Sequence, residues 1–428
     1  MSTSDRRAVA LPPPVADVRR SVLPGGVRVL TDVVPSSSSA TVSVWVGVGG
    51  RDEPDELAGA SHFLEHLLFK GTEQRSARDL ALEIDGVGGE MNAYTASEYT
   101  AFYTRVPAVE VDVAVDVLLD VVGRPALRAE EFAAEREVIA EELAAATDDP
   151  EDVAGVQLFE ALFPQHPLGR EVLGTLDSIG SIDRSDVASF FDEWYRPANL
   201  VVTGAGCVDH DELVDQVGAR LDSTGRGLPP LRSAPPMPST TVVTAYDPGE
   251  LVQVAWGWRT GGVHDEDRFT LAVLNHILGA GPSSRLFQVV REQHGLTYSI
   301  SSGVSQYTDA GALTVASTTT PAKARQLVDV VGAEVEQLAS TGISAEELSR
   351  AKRSMRGALL LGLEDSGSRG ARLGLSETLR GRVTPLPEHL DRIERVELEQ
   401  VARVASAVLG GPRVLSLVGP GELESLAG

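Results

Sequence analysis

Alternating apolar residues predict a strand near the start of each half of the chain. The apolar positions are Val42, Val44, Val46 and Val48 in the first half and Val252, Val254, Trp256 and Trp258 in the second. Period-two alternation is typical of strands that bury one face. A Gly-Gly pair and acidic residues follow each strand, and the apolar segment after them has helical spacing in both halves. The two halves therefore begin with the same predicted order of elements.

The later elements of the two halves also correspond. Residues 129–145 and 343–361 carry charged and apolar residues at helical spacing after an acidic start. Each half closes on an apolar strand, at residues 200–202 and 414–418. This repeat predicts an α+β fold of two homologous α/β domains from one duplicated unit, each a mainly antiparallel sheet packed with helices.

A segment rich in proline, glycine and serine divides the chain. Residues 222–239 show neither helical nor strand periodicity, which is typical of a linker. We therefore expect an N-terminal domain over residues 19–221 and a C-terminal domain over residues 240–428. Residues 1–18 contain three consecutive prolines and no apolar stretch, so we expect a flexible N-terminal arm rather than a secretory signal.

The net charge of the chain restricts the classes of partner that it can bind. Its 428 residues carry a net charge of −25, which repels nucleic acid and anionic membranes. The same charge would attract basic peptides, or it would serve solubility alone. No run of about 18 apolar residues occurs, so we expect no membrane insertion. The single cysteine, Cys207, excludes a disulfide within the chain, and we expect cytoplasmic localisation.

The first predicted helix carries the most informative polar residues. His62, Glu65 and His66 stand at helix positions i, i+3 and i+4, which lie on one face. Two histidines at this spacing can bind one zinc ion, and the order H-x-x-E-H is that of the inverted zincins. In such a site the glutamate takes a proton from a water molecule whose pKa the zinc ion lowers. Each residue alone is more often an ordinary helix residue, so a third ligand is needed.

The third ligand is expected on the glutamate-rich helix predicted over residues 129–145. Most glutamates there would lie on a solvated face. We expect Val138 and Ile139 to face the core, which places Glu135 and Glu142 on the same stripe. Glu141, one position further round the helix, remains the alternative to Glu142.

Several segments resemble the pitrilysin and mitochondrial processing peptidase family. They are GASHFLEHLLFKGT, GGEMNAYTASEYTAFY, EREVIAEELAAATDDP, HPLGREVLGT, WYRPANLVVTG and PSSRLFQVVREQHGLTYS, which together span both halves. The resemblance implies that His62, His66 and Glu142 bind the metal, that Glu65 is the general base, and that Glu135 supports the site from outside the ligand set. Low lysine content among the basic residues favours a bacterial member.

The resemblance also assigns substrate contacts. It implies that Asn92 and Ala93 lie on an edge strand beside the metal, where an extended peptide can add by backbone hydrogen bonds. It implies that Arg291 and Tyr298 hold the substrate backbone. From the residues alone, the favoured interpretation of Arg291 is a helix-surface charge, and that of Tyr298 is a half-buried strand aromatic.

The second half lacks the metal-binding residues. Aligning the two halves puts Ala272, Asn275, Ala351 and Ala358 opposite His62, Glu65, Glu135 and Glu142. We therefore expect one Zn²⁺ per chain and a C-terminal domain that binds substrate without metal. The predicted function is a processing-peptidase-like zinc metalloendopeptidase acting on peptides or unfolded segments, as a homodimer or with a related chain. The alternative is a non-catalytic scaffold subunit of a peptidase-type complex.

Overall fold

The computed structural model describes residues 18–221, 225 and 227–427. The first half forms a six-stranded sheet with the order β1-β2-β6-β3-β5-β4. Its strands are β1 (Val18–Val22), β2 (Arg28–Val33), β3 (Ser39–Val46), β4 (Glu90–Thr95), β5 (Thr100–Pro107) and β6 (Leu200–Gly206). The pair β2–β6 is parallel and every other pair in this sheet is antiparallel.

The second half forms a five-stranded sheet with the order β7-β11-β8-β10-β9. Its strands are β7 (Thr241–Tyr246), β8 (Val252–Thr260), β9 (Ser299–Gln306), β10 (Gly311–Thr319) and β11 (Arg413–Gly419). The pair β7–β11 is parallel, like β2–β6 in the first sheet, and the other pairs are antiparallel. This order repeats that of β2-β6-β3-β5-β4, so the predicted α+β fold with two related halves is confirmed.

Helices pack on both faces of the sheets. The first half contributes α1 (Ala60–Leu68), α2 (Ala77–Gly86), α3 (Val111–Gly123), α4 (Ala129–Asp148), α5 (Pro150–Leu162), α6 (Leu176–Ser181), α7 (Arg184–Trp194) and α8 (His210–Arg220). The second contributes α9 (Arg268–Leu278), α10 (Pro321–Thr341), α11 (Ala345–Gly362), α12 (Ser366–Arg380), α13 (Leu386–Glu394) and α14 (Leu398–Leu409). No helix within the described residues is both long and apolar enough to cross a bilayer.

The prediction that β3 buries one face is wrong, because both of its faces are buried. Val42, Val44 and Val46 face the core of the first half, but Thr41 and Trp45 on the other face are also 1–2% exposed. That second face is covered by α12, which comes from the other half of the chain. The contact is so close that a Cβ at Gly374 would lie 2.0 Å from the indole of Trp45.

A helix of the first half likewise packs on the sheet of the second half. The first-half helix α5 packs against β8 and β11 of the second sheet. A Cβ at Gly257 on β8 would lie 2.5 Å from a terminal methyl of Leu162 on α5, so a larger residue there would displace that side chain. Since each half covers the other's sheet with one helix, the boundaries at residues 19–221 and 240–428 stay a prediction.

The described part of the predicted linker is anchored by charged residues. Residues 225 and 227–239 form no helix or strand, whereas residues 1–17, 222–224 and 226 lie outside the described part of the chain. Arg232 donates to Asp52 at 2.7 Å, and Arg51 donates to the carbonyl oxygen of Ser233 at 2.6 Å. The linker is therefore held against the segment that precedes α1.

A buried ion network joins the same segment to the second half. Arg51, which is 5% exposed, donates to Glu98 at 2.6 Å and to Asp309 at 2.7 and 2.8 Å. Glu98 also accepts from the backbone and hydroxyl of Thr308, at 2.8 and 2.7 Å. Because buried charges are stable only when paired and hydrogen-bonded, this network fixes the β9–β10 turn against the first half.

Candidate metal centre

The helix α1 places His62, Glu65 and His66 beside one another, as the sequence predicts. Its apolar residues, Phe63, Leu64, Leu67 and Leu68, are at most 1% exposed and anchor the helix in the first core. The two imidazole rings lie with their centroids 4.6 Å apart. The helix therefore presents both rings on one face while its opposite face is fixed by packing.

The packing of α4 differs from the prediction at one position. Ile139 is buried, but Val138 is 46% exposed, so the expectation that both face the core is wrong. The buried positions are Phe132, Glu135, Ile139 and Leu143, a stripe spaced by three or four residues that faces α1. Val138, the residue before Ile139, lies outside this stripe and is turned toward solvent. The ring of Phe132 stacks on Phe63 of α1, with a centroid separation of 4.6 Å.

This packing brings Glu142 to the two histidines. Glu142 Oε2 lies 3.8 Å from His62 Nε2 and 3.5 Å from His66 Nε2. One ligand atom from each of the three residues lies within 4.8 Å of the others. Glu142 is partly open to solvent, with its side chain 46% exposed, so a group bound between these atoms remains reachable from outside.

Glu135 holds His66 from the far side of its ring. Glu135 Oε2 lies 3.1 Å from His66 Nδ1, and Lys70 Nζ lies 2.7 Å from Glu135 Oε1. Glu135 is 4% exposed, so Lys70 supplies the counter-charge that a buried carboxylate needs. With Nδ1 bound to a carboxylate, the free nitrogen of His66 is Nε2, the atom that faces Glu142.

The electrostatics favour neutral histidine and a basic carboxyl. Burial and the neighbouring His66 lower the pKa of His62 to about 4, so its ring is neutral and can act as a ligand at neutral pH. Burial raises the pKa of Glu65, and a hydrogen bond from Thr95 opposes that rise. Thr95 Oγ1 donates to Glu65 Oε2 at 2.5 Å, which fixes the orientation of the carboxyl.

The donor set fits zinc. Two imidazole nitrogens and one carboxylate oxygen are a usual protein ligand set for catalytic Zn²⁺, which keeps a further position open for water or substrate. A carboxylate on the second nitrogen of a ligand histidine is the usual outer contact of such sites, and Glu135 occupies that place. The approach of Glu142 to both Nε2 atoms is therefore compatible with a shared metal ion.

Asn92 and Ala93 lie on the strand where the sequence predicts them. They belong to β4, which is an edge of the first sheet, because among the described residues its one neighbouring strand is β5. The backbone N–H of Ala93 donates to its neighbour Asn92 Oδ1 at 2.8 Å. Glu65 is tied to the same strand through Thr95, so the edge lies directly beside the candidate metal ligands.

Arg291 and Tyr298 lie together in the second half. Arg291 is in a π-helical segment, Phe287–Gln293, and its guanidinium carbon lies 4.8 Å from the ring centroid of Tyr298. Tyr298 is 84% exposed, so the alternative of a half-buried strand aromatic is wrong. The next residue, Ser299, lines the cavity described below, whereas the lining contains neither member of the pair.

The candidate site opens into a large cavity between the two halves. The cavity has a volume of about 1360 Å³ and is lined by His62, Glu65, Glu142 and the edge residue Ala93. Hydroxyl-bearing residues of the second sheet form another part of its wall, at Ser299, Ser301, Thr314, Ser317 and Thr318. Acidic residues also contribute, at Glu151, Asp152, Glu160, Glu171 and Asp177.

Three contacts of this site were missed by the sequence reasoning. They are Thr95 on Glu65, Lys70 on Glu135, and Glu53 at the start of α1. The contact of Thr95 could have been predicted, because Thr95 stands two residues after Ala93 and therefore lies on the same face of the strand. The contacts of Lys70 and Glu53 could not, since a lysine after a helix and a glutamate in a loop are ordinary surface residues.

Comparison with known proteins finds one matching family model in each half of the chain. The family described as Insulinase (Peptidase family M16) matches residues 28–176, and the one described as Peptidase M16 inactive domain matches residues 181–355. A Mycobacterium leprae protein named an uncharacterized zinc protease is 42% identical, over 95% of this chain and 92% of its own length. The uncharacterized zinc protease YmxG of Bacillus subtilis is 33% identical, over 94% of this chain and 98% of its own.

Solved structures share the fold. A protease from Helicobacter pylori has a TM-score of 0.87 at 22% identity, over 95% of this chain and 100% of that one. The structure described as a peptidase M16 inactive domain from Pseudomonas fluorescens has a TM-score of 0.88 at 20% identity, over 95% of this chain and 98% of that one. From its two matched segments and its full-length bacterial relatives, the chain belongs to peptidase family M16, the insulinase-like zinc proteases.

Proposed function

We propose that the chain is a zinc metalloendopeptidase with His62, His66 and Glu142 as metal ligands and Glu65 as general base. The observation that carries this proposal is the meeting of three donor atoms within 4.8 Å, with Glu65 on the same helix face. One Zn²⁺ per chain follows, because the aligned positions of the second half carry alanine and asparagine. Three of those positions, Ala272, Asn275 and Ala351, lie in the segment that matches the inactive-domain family.

The chain's own residues suit peptide hydrolysis. Zinc, when bound, would supply Lewis-acid polarisation of the peptide carbonyl and lower the pKa of a water molecule. Glu65 would take the proton of the attacking water and return it to the leaving amine, a role favoured by its raised pKa. Thr95 keeps the Glu65 carboxyl directed along the helix face, and Glu135 keeps Nε2 of His66 free.

The cavity supports a peptide substrate in extended form. The edge strand β4 offers backbone groups to an added strand, and the N–H of Ala93 donates to Asn92 Oδ1 at 2.8 Å. The acidic lining favours basic peptides, since most of its carboxylates have no neighbouring cation among the lining residues. Arg170 lines the cavity too, but Asp55 at 2.7 Å and two backbone carbonyl oxygens already engage it.

A homodimer best accounts for Arg291 and Tyr298. The pair lies outside the lining of the chain's own cavity, and it combines an exposed phenol with a partly buried guanidinium group. We propose that it contacts substrate held at the zinc site of a second copy, in the processing-peptidase-like arrangement of a cytoplasmic enzyme. A related chain in place of the second copy would serve the same geometry.

The choice of third ligand is testable by zinc content. Glu142→Ala is expected to lose most of its bound zinc, because among the described residues Glu142 provides the carboxylate that lies within 4 Å of both Nε2 atoms. Glu141→Ala is the matched control, since it removes a neighbouring glutamate of the same helix. Zinc is measured by mass spectrometry of the metal after dialysis against a competing chelator. Equal zinc content in the two variants would contradict the ligand assignment.

The general base is testable without loss of the metal. Glu65→Gln is expected to lower the cleavage of a fluorogenic basic peptide by a factor of about 100 to 10,000, the usual worth of general acid–base catalysis. Zinc content and the thermal melting point are expected to stay near those of the parent. Glu137→Gln, an exposed change on α4, is the control.

Two results of that assay would count against the enzyme. Parental rates in Glu65→Gln would show that another group is the base. A zinc-loaded parent without chelator-sensitive cleavage, alone or mixed with a related chain, would favour the scaffold alternative.

The dimer is testable by mixing inactive variants. Glu65→Gln is co-expressed, under a second affinity tag, with the double variant Arg291→Ala/Tyr298→Phe. If the pair acts on the other copy's zinc site, a statistical mixture regains roughly a quarter of parental activity, because half the two-fold dimers hold one intact site. A dually tagged dimer without recovered activity would place both groups in the same chain's site.

A further inference from the structure

The N-terminus of α1 has no side-chain cap of its own. The N-cap position is Gly59, held in the left-handed region with φ 94°, and no side chain at that position accepts a backbone hydrogen bond. The first N–H groups of any helix lack partners within the helix and must find them elsewhere. In α1 this matters for the site, because His62 is the third residue of the helix and therefore lies in its first turn.

A buried carboxylate from the preceding loop fills that place. Glu53 Oε2 accepts from the N–H of Gly59 at 2.8 Å, and Glu53 Oε1 accepts from the N–H of Ser61 at 2.6 Å. Glu53 is 5% exposed, so both of its oxygens are occupied by α1. A negative charge at a helix N-terminus is also favoured by the helix dipole.

The backbone of the loop that carries Glu53 is itself held from two sides. Arg170 donates to the carbonyl oxygen of Glu53 at 2.7 Å and to that of Gly50 at 2.9 Å. Two residues before Glu53, Arg51 enters the buried ion network with Glu98 and Asp309. The segment from Gly50 to Glu53 thus connects the second half of the chain to the first turn of α1.

We propose that Glu53 is a positioning residue of the metal site, which caps α1 and fixes the first turn that carries His62. The inference rests on the proposed zinc site and adds a residue to it. Glu53 is absent from the cavity lining and both its oxygens bind backbone, so it acts through α1 rather than on substrate.

The two histidines depend on Glu53 to different degrees. His66 lies one turn further along and has its own support from Glu135 at 3.1 Å. His62 has no such support, because its Nδ1 is buried without a hydrogen-bond partner among the described residues. The position of the His62 ring is therefore set by the backbone of the first turn. Terminal turns of helices fray readily, so this backbone depends on its cap.

The test compares Glu53→Gln with Glu56→Gln, an exposed change in the same loop. The amide keeps one acceptor oxygen but turns an NH₂ group toward the second backbone N–H, so one cap bond is lost. We expect the zinc dissociation constant to rise about 10-fold to 100-fold, as for other residues that orient metal ligands. In metal-free protein, hydrogen exchange is expected to quicken at residues 61–64 and to stay unchanged in α4.

A third variant separates positioning from general damage. Glu53→Asp keeps the charge and is expected to recover part of the zinc affinity, with exchange between that of the parent and Glu53→Gln. Measurements at pH 8 keep the carboxylate ionised, since burial raises the pKa of Glu53 to about 7. If Glu53→Gln does not fold, the zinc affinity of Glu53→Asp and its hydrogen exchange at residues 61–64 are compared with those of Glu56→Gln instead.

The outcomes decide between the two proposals. Parental zinc affinity and parental exchange at residues 61–64 in Glu53→Gln would overturn the positioning role. Uniformly faster exchange over the whole chain would overturn it too, because it indicates global destabilisation. A parent that binds no zinc would overturn the proposed function, while the exchange comparison would still report on the cap.

Discussion

The candidate site depends on the packing of α4 against α1. The two histidines come from one turn-and-a-half of α1, but the third donor must be brought to them from a helix that follows much later in the chain. The stacked rings of Phe63 and Phe132 hold the two helices together, a contact worth about 0.5–1.5 kcal/mol beyond the buried area. Glu135 adds a buried bridge to His66 and Lys70. With the helices in this register, Glu142 reaches both Nε2 atoms.

The larger architecture encloses that site. Each half covers the other's sheet with one helix, and the buried network around Arg51 ties the β9–β10 turn to the loop before α1. The result is a cavity with the candidate ligands His62 and Glu142 and the β4 edge on one part of its wall and the second sheet on another. The second half contributes hydroxyl-bearing residues to that wall, whereas the acidic lining residues come from the first half.

Local patterns predicted much of this from the sequence. Period-two alternation located β3 and β8, and the spacing of His62, Glu65 and His66 placed them on one helix face, because both signals are set by the geometry of a single element. Glu142 was favoured over Glu141 by the same kind of argument, although Val138 was assigned wrongly to the buried stripe. That error arose because the neighbouring helix, which the sequence does not show, decides which face is covered.

Contacts between distant segments could not be predicted. The cover of β3 by α12 depends on Gly374 admitting the indole of Trp45, and nothing near either residue signals the pairing. The contacts of Glu53 and Lys70 could not be predicted for the same reason, since each is made with a residue of another element. The proposed substrate contacts of Asn92, Ala93, Arg291 and Tyr298 came from the family resemblance, because nothing in the local pattern around these residues indicates substrate binding.

X-ray absorption at the zinc edge tests the central claim most directly. On zinc-loaded protein we expect one zinc per chain, with two histidine nitrogens at about 2.0–2.1 Å and carboxylate oxygen at about 2.0–2.2 Å. One histidine should disappear from the spectrum in His62→Ala and one in His66→Ala. A metal bound without two histidines, or a spectrum unchanged by either substitution, would contradict the account.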